Sequence, residues 1–325
     1  MNIGVIGLGS MGKRRIRLLK NLEQCGSIIG IDSREDRRIE AEEAFKISTE
    51  CDLASAIKIH NLKALVVSTA PLSHAAIIKE GLKHKCHIFT EINLVATGYE
   101  NNIKLAEENQ CVLFLSSTPM YRKELQFIKE TVLSAPIPVN YTYHVGQYLP
   151  TWHTYENYKD FFVSDKRTNG CREIFAIELP WIIDTFGKIV KYTVQKGNMT
   201  SLDIDYPDNY QLILEHENGS KGTLTIDVAS IKAVRKLEIY SQTVYLEWDG
   251  TPDGLSVYNV KTGKTEKKEL YKDTDTINLK NATIIENAYQ SELEEFFAVI
   301  REGKTARYSF ERDLETLNLI DSIEG

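Results

Sequence analysis

The chain has 325 residues, 42% of them hydrophobic and 26% charged, which supplies a packed core and excludes a fibrous or largely disordered chain. That length exceeds what one core usually holds, so two domains are expected, 1–120 and 121–325. A net charge of −7 offers no global attraction for nucleic acid or an anionic membrane, and no apolar run reaches the roughly 20 residues that cross a bilayer.

Taken in chain order, short β-branched runs at 3–7, 27–31, 63–69, 87–90 and 111–115 predict strands. The stretches between them carry apolar residues at helical spacing, as in Leu72, Ala75, Ile78 and Leu82. Strands apolar throughout and separated by helices imply a parallel, doubly wound sheet covered on both faces. After about residue 135 strands follow one another directly, at 138–146, 189–197, 208–217, 221–229, 234–241 and 243–248. Glu217-Asn218-Gly219-Ser220 reads as a hairpin turn and Lys261-Thr262-Gly263-Lys264 as another turn, so this half is an α+β domain with a mostly antiparallel, open-faced sheet. Helical patterns at 172–186, 283–302 and 310–324 complete it, the last placed to pack back on the first domain.

The strongest chemical signal is Gly7-Leu8-Gly9-Ser10-Met11-Gly12, which follows a strand and opens a helix. Gly7 permits the tight turn, Gly9 lets backbone approach a pyrophosphate, and Gly12 lets helix pack close to strand. The helix N-terminus then offers free N–H groups to the phosphates. The second strand ends at Asp32, where a carboxylate can accept adenosine ribose hydroxyls. It favours NAD over NADP, whose 2′-phosphate it repels. Ser33 and Arg34 follow, and an arginine there could swing toward that phosphate, so NADP is not excluded. Lys13-Arg14-Arg15 reads as a solvated helix face.

With these residues in view, the sequence resembles the Gfo/Idh/MocA family of nicotinamide-dependent oxidoreductases. Besides the glycine motif, Ser68-Thr69-Ala70-Pro71-Leu72-Ser73-His74 is similar to the family's Thr-Pro…His loop. Thr-Glu-Ile-Asn at 90–93 falls where the family has Glu-Lys-Pro. The closing stretch, from Ser291-Glu292-Leu293 through Glu315-Thr316-Leu317, is similar to the family's end. The resemblance implies a Rossmann domain followed by an open-faced sheet domain that mediates dimers or tetramers. It also implies a cofactor lined by Thr69, Ala70, Pro71 and His74, with Glu91 and Asn93 near the nicotinamide ribose.

Two departures stand out. The family's lysine position is Ile92, and aligning Asp184 puts Trp181 at the family's histidine, with Glu178 nearby. The segment 148–162 offers replacements, since six of its fifteen residues are aromatic and it reads as a loop. Trp152 and Tyr155 suit the C–H faces of a sugar, and the segment resembles a subset of the family in surface-polysaccharide sugar metabolism. Equally, these aromatics could only fasten the loop. His153 is the first candidate for general acid/base, with Glu178 and Tyr158 next. Tyr121, Arg122, Arg172 and Trp181 are further substrate-binding candidates, Arg172 through pairing with a carboxylate or phosphate.

The expected function is hydride transfer between NAD(P) and a sugar-type alcohol or carbonyl. The alternatives are a non-catalytic dinucleotide- and sugar-binding subunit, or a reductase of a C=N or C=C acceptor. The expected partners are a small-molecule substrate and further copies of the chain through the open sheet face, with neither nucleic acid nor membrane. Five cysteines, at 25, 51, 86, 111 and 171, form no Cys-x-x-Cys and read as reduced thiols rather than metal ligands, and a cytoplasmic location is expected. The basic residues of MNIGVIGLGSMGKRR follow its apolar run, the reverse of a secretory signal.

Overall fold

A computed structural model describes residues 1–152, 157–271 and 286–325. The chain divides into two compact units, Met1–Ser117 with Tyr289–Asn318, and Thr118–Ala288 with Leu319–Gly325.

The first unit alternates β1 (Ile3–Ile6), α1 (Ser10–Leu19), β2 (Ile28–Ile31), α2 (Glu35–Phe45), β3 (Ser48–Glu50), α3 (Leu53–His60), β4 (Ala64–Val67), α4 (Pro71–Lys83), β5 (His87–Thr90), α5 (Tyr99–Glu108) and β6 (Leu113–Leu115). The six strands pair in parallel in the order β3-β2-β1-β4-β5-β6. Every residue of β1, β2 and β4 is buried, because helices cover both faces and leave no polar side to the pleat. The strand order reverses beside β1, and in such sheets ligands settle at the carboxyl ends of the strands at that point. Polar β3, Ser-Thr-Glu, was not predicted, since an edge strand of three residues carries no periodicity. A late helix, α8 (Glu286–Glu302), returns to this unit and sets Phe296 edge-on against Phe89 and Phe114, at 5.7 Å from each.

The second unit holds α6 (Lys123–Leu133), β7 (Asn140–Gly146), α7 (Gly170–Phe186), β8 (Ile189–Gly197), β9 (Asn209–His216), β10 (Lys221–Asp227), β11 (Val234–Tyr240), β12 (Tyr245–Trp248), β13 (Leu255–Asn259) and β14 (Lys264–Lys267). They form an eight-stranded sheet in the order β14-β13-β12-β11-β7-β10-β9-β8, antiparallel except for the β7–β10 pair. Alternation does the sorting. Tyr141, Tyr143, Leu212, Leu214, Leu224, Ile226, Leu237 and Ile239 are buried, while Thr142, Gln211, Ile213, Thr223 and Lys236 between them are exposed. Helix α7 covers the buried face, with Phe186 stacked on Tyr141 at 4.2 Å and Phe175 edge-on to Tyr210 at 5.3 Å. The turn expected at 261–264 joins β13 to β14, with Gly263 at φ +67°. The strands themselves escaped the sequence reading because β14, Lys-Thr-Glu-Lys, is exposed throughout. The last helix, α9 (Phe310–Glu324), contributes its first nine residues to the first unit and its remainder to the second. No helix among the described residues is long and apolar enough to cross a membrane.

Candidate dinucleotide site and the polar cluster on α7

The glycine loop leaves β1 at Gly7, whose φ of +88° is a left-handed conformation open to glycine at little cost. A Cβ at Gly12 would stand 1.8 Å from the Gly7 carbonyl oxygen, so the first turn of α1 rests directly on the loop. At Gly9 the situation is the opposite. A Cβ there would meet only the Arg37 Nη1, at 3.8 Å, so the backbone faces open space. Gly9 is also the N-cap of α1 and no side chain caps that end, which leaves the first N–H groups of the helix for a ligand. Leu8 is buried, Ser10 exposed and Met11 half-buried. These residues fit a dinucleotide pyrophosphate.

Asp32 follows β2, with one carboxylate oxygen accepting the Leu8 N–H at 2.8 Å and the other the Arg34 N–H at 2.9 Å. It therefore both pins the glycine loop and places negative charge beside it. Arg34 and Ser33 are exposed, and the Arg34 guanidinium grips Asp36 at 3.1 and 2.5 Å. The arginine over the loop is instead Arg37, with Nη1 3.7 Å from the Asp32 carboxylate. Sequence reading passed it over. Its signal was helical spacing, because one turn past the N-cap Arg34 a side chain points back toward the end of β2.

The Thr69–His74 loop opens α4, with Pro71 in its first turn. His74 is buried, donates from Nε2 to the Thr69 carbonyl at 2.9 Å, and lies 2.7 Å by its Nδ1 from the Asn93 side-chain amide. Burial lowers its pKa and keeps it neutral, so it braces the loop that holds Thr69 and exposed Ala70. Glu91 is taken by Arg15, which donates to it at 2.6 and 3.0 Å. The same guanidinium reaches Glu292 at 2.8 Å and Ser116 at 3.3 Å and lies 4.4 Å over the Phe89 ring. Arg14 and Arg15 are buried, which corrects the expectation of a solvated Lys13-Arg14-Arg15 face. Only Lys13, half-buried and paired with exposed Glu40 at 2.5 Å, approaches it. Burial opposes the Arg15 charge, but Glu91 and Glu292 more than offset that and hold it cationic. Burial in turn pushes Glu292 upward against the pull of Arg15.

In the second unit, Glu178 projects from α7 into the buried face of the sheet. It accepts the Tyr143 hydroxyl at 2.7 Å, the Trp181 indole N–H at 2.7 Å and an Arg235 N–H at 2.5 Å. Burial and the Glu178 charge push the Tyr143 phenol far up, so it stays a donor. Both carboxylate oxygens of Glu178 are thus occupied. Arg172 is drawn to the end of α9, to Glu324 and, at 2.6 Å, to Asp321, which leaves its guanidinium committed. Arg122 is buried, pairs with Glu124 at 2.6 Å, donates to the Gly250 carbonyl at 2.9 Å and stacks on Trp248. Tyr121 is buried beside it at the end of the 3₁₀ turn Thr118–Tyr121. Trp152 donates to the Gln147 carbonyl at 3.0 Å, and half-buried Tyr158 begins a further 3₁₀ turn. His153 and Tyr155 lie outside the described residues.

The structure also joins His144 to Asp227 at 2.6 Å, on the face of β7 opposite Tyr143. Burial pushes the Asp227 pKa up, but hydrogen bonds from His144, Ser230 and Ala229 prevail and lower it. No sequence spacing announces this pair, since 83 residues separate its members.

The fold and loop define a protein with a dinucleotide-binding Rossmann unit. The sequence model described as "Oxidoreductase family, NAD-binding Rossmann fold" (GFO_IDH_MocA) matches residues 1–117. Residues 1–117 thus carry the NAD-binding Rossmann unit of that oxidoreductase family. No curated protein matches by sequence. Among solved structures, the chain is similar to UDP-N-acetylglucosamine 3-dehydrogenase GnnA from Acidithiobacillus ferrooxidans, with TM-score 0.78, 15% identity, and 100% of this chain and 96% of that one covered. It is similar to an oxidoreductase from Agrobacterium radiobacter in complex with NAD+, L-tartaric acid and magnesium, with TM-score 0.80, 14% identity, and coverage of 99% and 94%. Biliverdin reductase from Synechocystis sp. PCC 6803, in complex with biliverdin and NADP+, gives TM-score 0.73, 14% identity, and coverage of 99% and 97%. At these identities the likeness carries the fold alone, and the molecules named differ too much for the fold to choose a substrate.

Proposed function

We propose that the protein passes hydride between NAD and an alcohol or carbonyl carbon of a sugar or sugar derivative. The observation that carries this reading is the open Gly9 backbone at an uncapped helix end beside the Asp32 carboxylate. The N–H groups opening α1 bind the pyrophosphate, and Asp32 receives the adenosine ribose. Thr69, Ala70 and Pro71 line the dinucleotide, while Glu91, fixed by Arg15, and Asn93 bound its nicotinamide end. The bound dinucleotide supplies the hydride acceptor or donor. Preference for NAD follows from Asp32, while Arg34, the cation next to it in sequence, is turned outward to an exposed pair with Asp36.

A sugar is supported by the aromatic content of 148–162, with Trp152 and Tyr155 offered to its ring. The similar GnnA protein is a dehydrogenase of a nucleotide sugar. Tyr121, Arg122 and Arg172 belong to this reading as shaping residues, since both guanidiniums are already paired. The exposed face of the second sheet serves self-association as a dimer or tetramer. A second reading rests on Ile92 and on Trp181, whose indole is fixed to Glu178. It is dinucleotide and sugar binding without turnover, or reduction of a C=N or C=C acceptor.

Calorimetric titration with NADH and separately NADPH tests the first step, and the expected result is tighter binding of NADH. Absorbance of the reduced nicotinamide, followed with sugars, nucleotide sugars and sugar acids, tests the second. Dinucleotide binding with no turnover of any of them would favour the second reading, and no binding of either dinucleotide would end both.

A further inference from the structure

Three charged side chains meet within the first unit at the carboxyl end of β5. Arg15 comes from α1, Glu91 follows β5, and Glu292 comes from α8. Arg15 is engaged at all three guanidinium nitrogens. Its Nε and Nη2 take the two oxygens of Glu91 at 2.6 and 3.0 Å, Nη2 also takes Glu292 at 2.8 Å, and Nη1 donates to the Tyr289 carbonyl at 3.3 Å. On its other oxygen Glu292 accepts the Ser117 N–H at 2.7 Å and the Ser116 hydroxyl at 3.0 Å. Burial opposes the Glu292 charge, but three donors aimed at one carboxyl group are what its ionised form requires.

One guanidinium is balanced by one carboxylate. A second carboxylate buried on it costs desolvation and leaves a negative charge that this arginine does not balance. Stability gives no reason for that second acid, whereas its position does. The side chains of Arg15 and Glu292 are 0% exposed, while that of Glu91 is 12% exposed and forms the surface of the cluster. That surface adjoins the cradle. The Ser68 hydroxyl donates to Glu91 at 3.4 Å, and a Cβ at Gly7 would stand 2.6 Å from the Ser68 carbonyl oxygen. In the sheet, β2 with Asp32 lies on one side of β1, and β4 and β5 with Glu91 lie on the other. A dinucleotide that leaves its adenosine at Asp32 and its pyrophosphate at Gly9 therefore carries its nicotinamide toward Glu91. Charge matters there, because the nicotinamide ring is cationic in NAD+ and neutral in NADH.

We propose that Glu292 is a positioning residue for the nicotinamide end of the dinucleotide: through Arg15 it holds Glu91 ionised and oriented, and the two carboxylates together favour the oxidised cofactor over the reduced one. The inference rests on the reading of the first unit as a dinucleotide site given above. Glu292 itself stays out of that site and acts by two routes. It fixes the far side of the Arg15 guanidinium, so that Glu91 keeps its remaining lone pairs turned one way. It also adds a negative charge where water screens little. Helix α8 thus takes part in choosing the redox state of the cofactor, although 277 residues separate Glu292 from Arg15.

The test is calorimetric titration of the full-length protein and its Glu292→Gln variant with NAD+, NADH and ADP. Glu292→Gln keeps the shape of the side chain and removes one negative charge. ADP reaches Asp32 and the cradle alone, so it reports whether the unit is intact. Arg14, the other buried guanidinium nearby, lies over the Tyr289 ring at 4.7 Å and is common to both proteins, so its charge drops out of the comparison. The expected result is ADP affinity within about twofold of the parent and a ratio of NAD+ to NADH dissociation constants raised about three- to tenfold, the scale of one poorly screened charge. Glu292→Asp, which keeps the charge, is expected to return the ratio toward the parental value. An unchanged ratio in Glu292→Gln overturns the proposal and leaves the proposed function standing. Equal weakening of all three ligands overturns it too, since that marks a purely structural role. If Glu292→Gln does not fold, Glu91→Gln removes a charge from the exposed edge of the same cluster. A ratio shifted the same way then supports the proposal, and an unchanged ratio overturns it. A parent protein that binds neither dinucleotide would strike the proposed function, and this assignment with it.

Discussion

The head of β1 and the middle of α7 are both polar sites, built from different materials. At β1 the groups left open to a ligand are backbone N–H groups, and side chains matter mainly where they are missing, at Gly7, Gly9 and Gly12. On α7 the site is made of side chains drawn from three distant stretches of chain, with Glu178 held by Tyr143, Trp181 and Arg235. A backbone cradle is set by local geometry and tolerates no added atoms. A side-chain cluster is set by tertiary packing and tolerates exchange of one acceptor for another at a moderate cost.

The sharpest way to break this comparison is to add one methyl group at each of two glycines. Gly12→Ala forces a Cβ to within 1.8 Å of the Gly7 carbonyl, so α1 must move off the loop. We expect lost dinucleotide binding together with a destabilisation of about 1–3 kcal/mol, typical of overpacking. Gly9→Ala meets no atom closer than 3.8 Å, so the fold should be nearly unaffected, while the methyl occupies the approach of the pyrophosphate. Affinity for NADH should fall at least about tenfold, or roughly 1.4 kcal/mol, at constant thermal midpoint. Calorimetry and thermal unfolding of the two variants read both quantities. A Gly9→Ala protein with parental NADH affinity would remove the cradle from the site.

On the α7 side, Glu178→Gln keeps an acceptor for Tyr143 and Trp181 but loses the charge opposite Arg235. Arg235 is partly exposed, so the loss is moderate, about 1.5–3 kcal/mol in urea unfolding. Turnover that survives in proportion to folded protein would make Glu178 a positioning residue. An inactive variant of parental stability would return Glu178 to the reacting group and weaken the contrast between a backbone cradle and a side-chain cluster.

How much of this the sequence discloses follows from the same distinction. The glycine spacing, the acid after β2 and the alternation along β7, β9 and β10 are local patterns, and each was legible. Arg15 was misread as part of a solvated run because one of its partners, Glu292, lies 277 residues away, beyond any spacing rule. Arg34 was chosen for adjacency to Asp32. The start of α2 turns its side chain outward to Asp36 and brings Arg37 back over the loop. Glu178 read as a candidate acid because sequence shows a glutamate on a helix and not the donors that the sheet sets against it.

The smallest expected effect lies within the cradle and concerns Arg34 and Arg37. Both are cations near Asp32, yet only Arg37 stands over Gly9, while Arg34 spends its guanidinium on an exposed pair with Asp36. Exposed pairs of that kind contribute about 0–1 kcal/mol, so Arg34→Ala should change neither stability nor the NADH-to-NADPH affinity ratio measurably. Arg37→Ala should weaken both dinucleotides by a few-fold, because it removes a half-exposed charge from the approach of the phosphates without touching the Asp32 contacts to Leu8 and Arg34. If Arg34→Ala instead lowers NADPH affinity selectively, Arg34 leaves Asp36 when a 2′-phosphate arrives, and the cofactor preference belongs to a side-chain exchange rather than to the fixed carboxylate of Asp32.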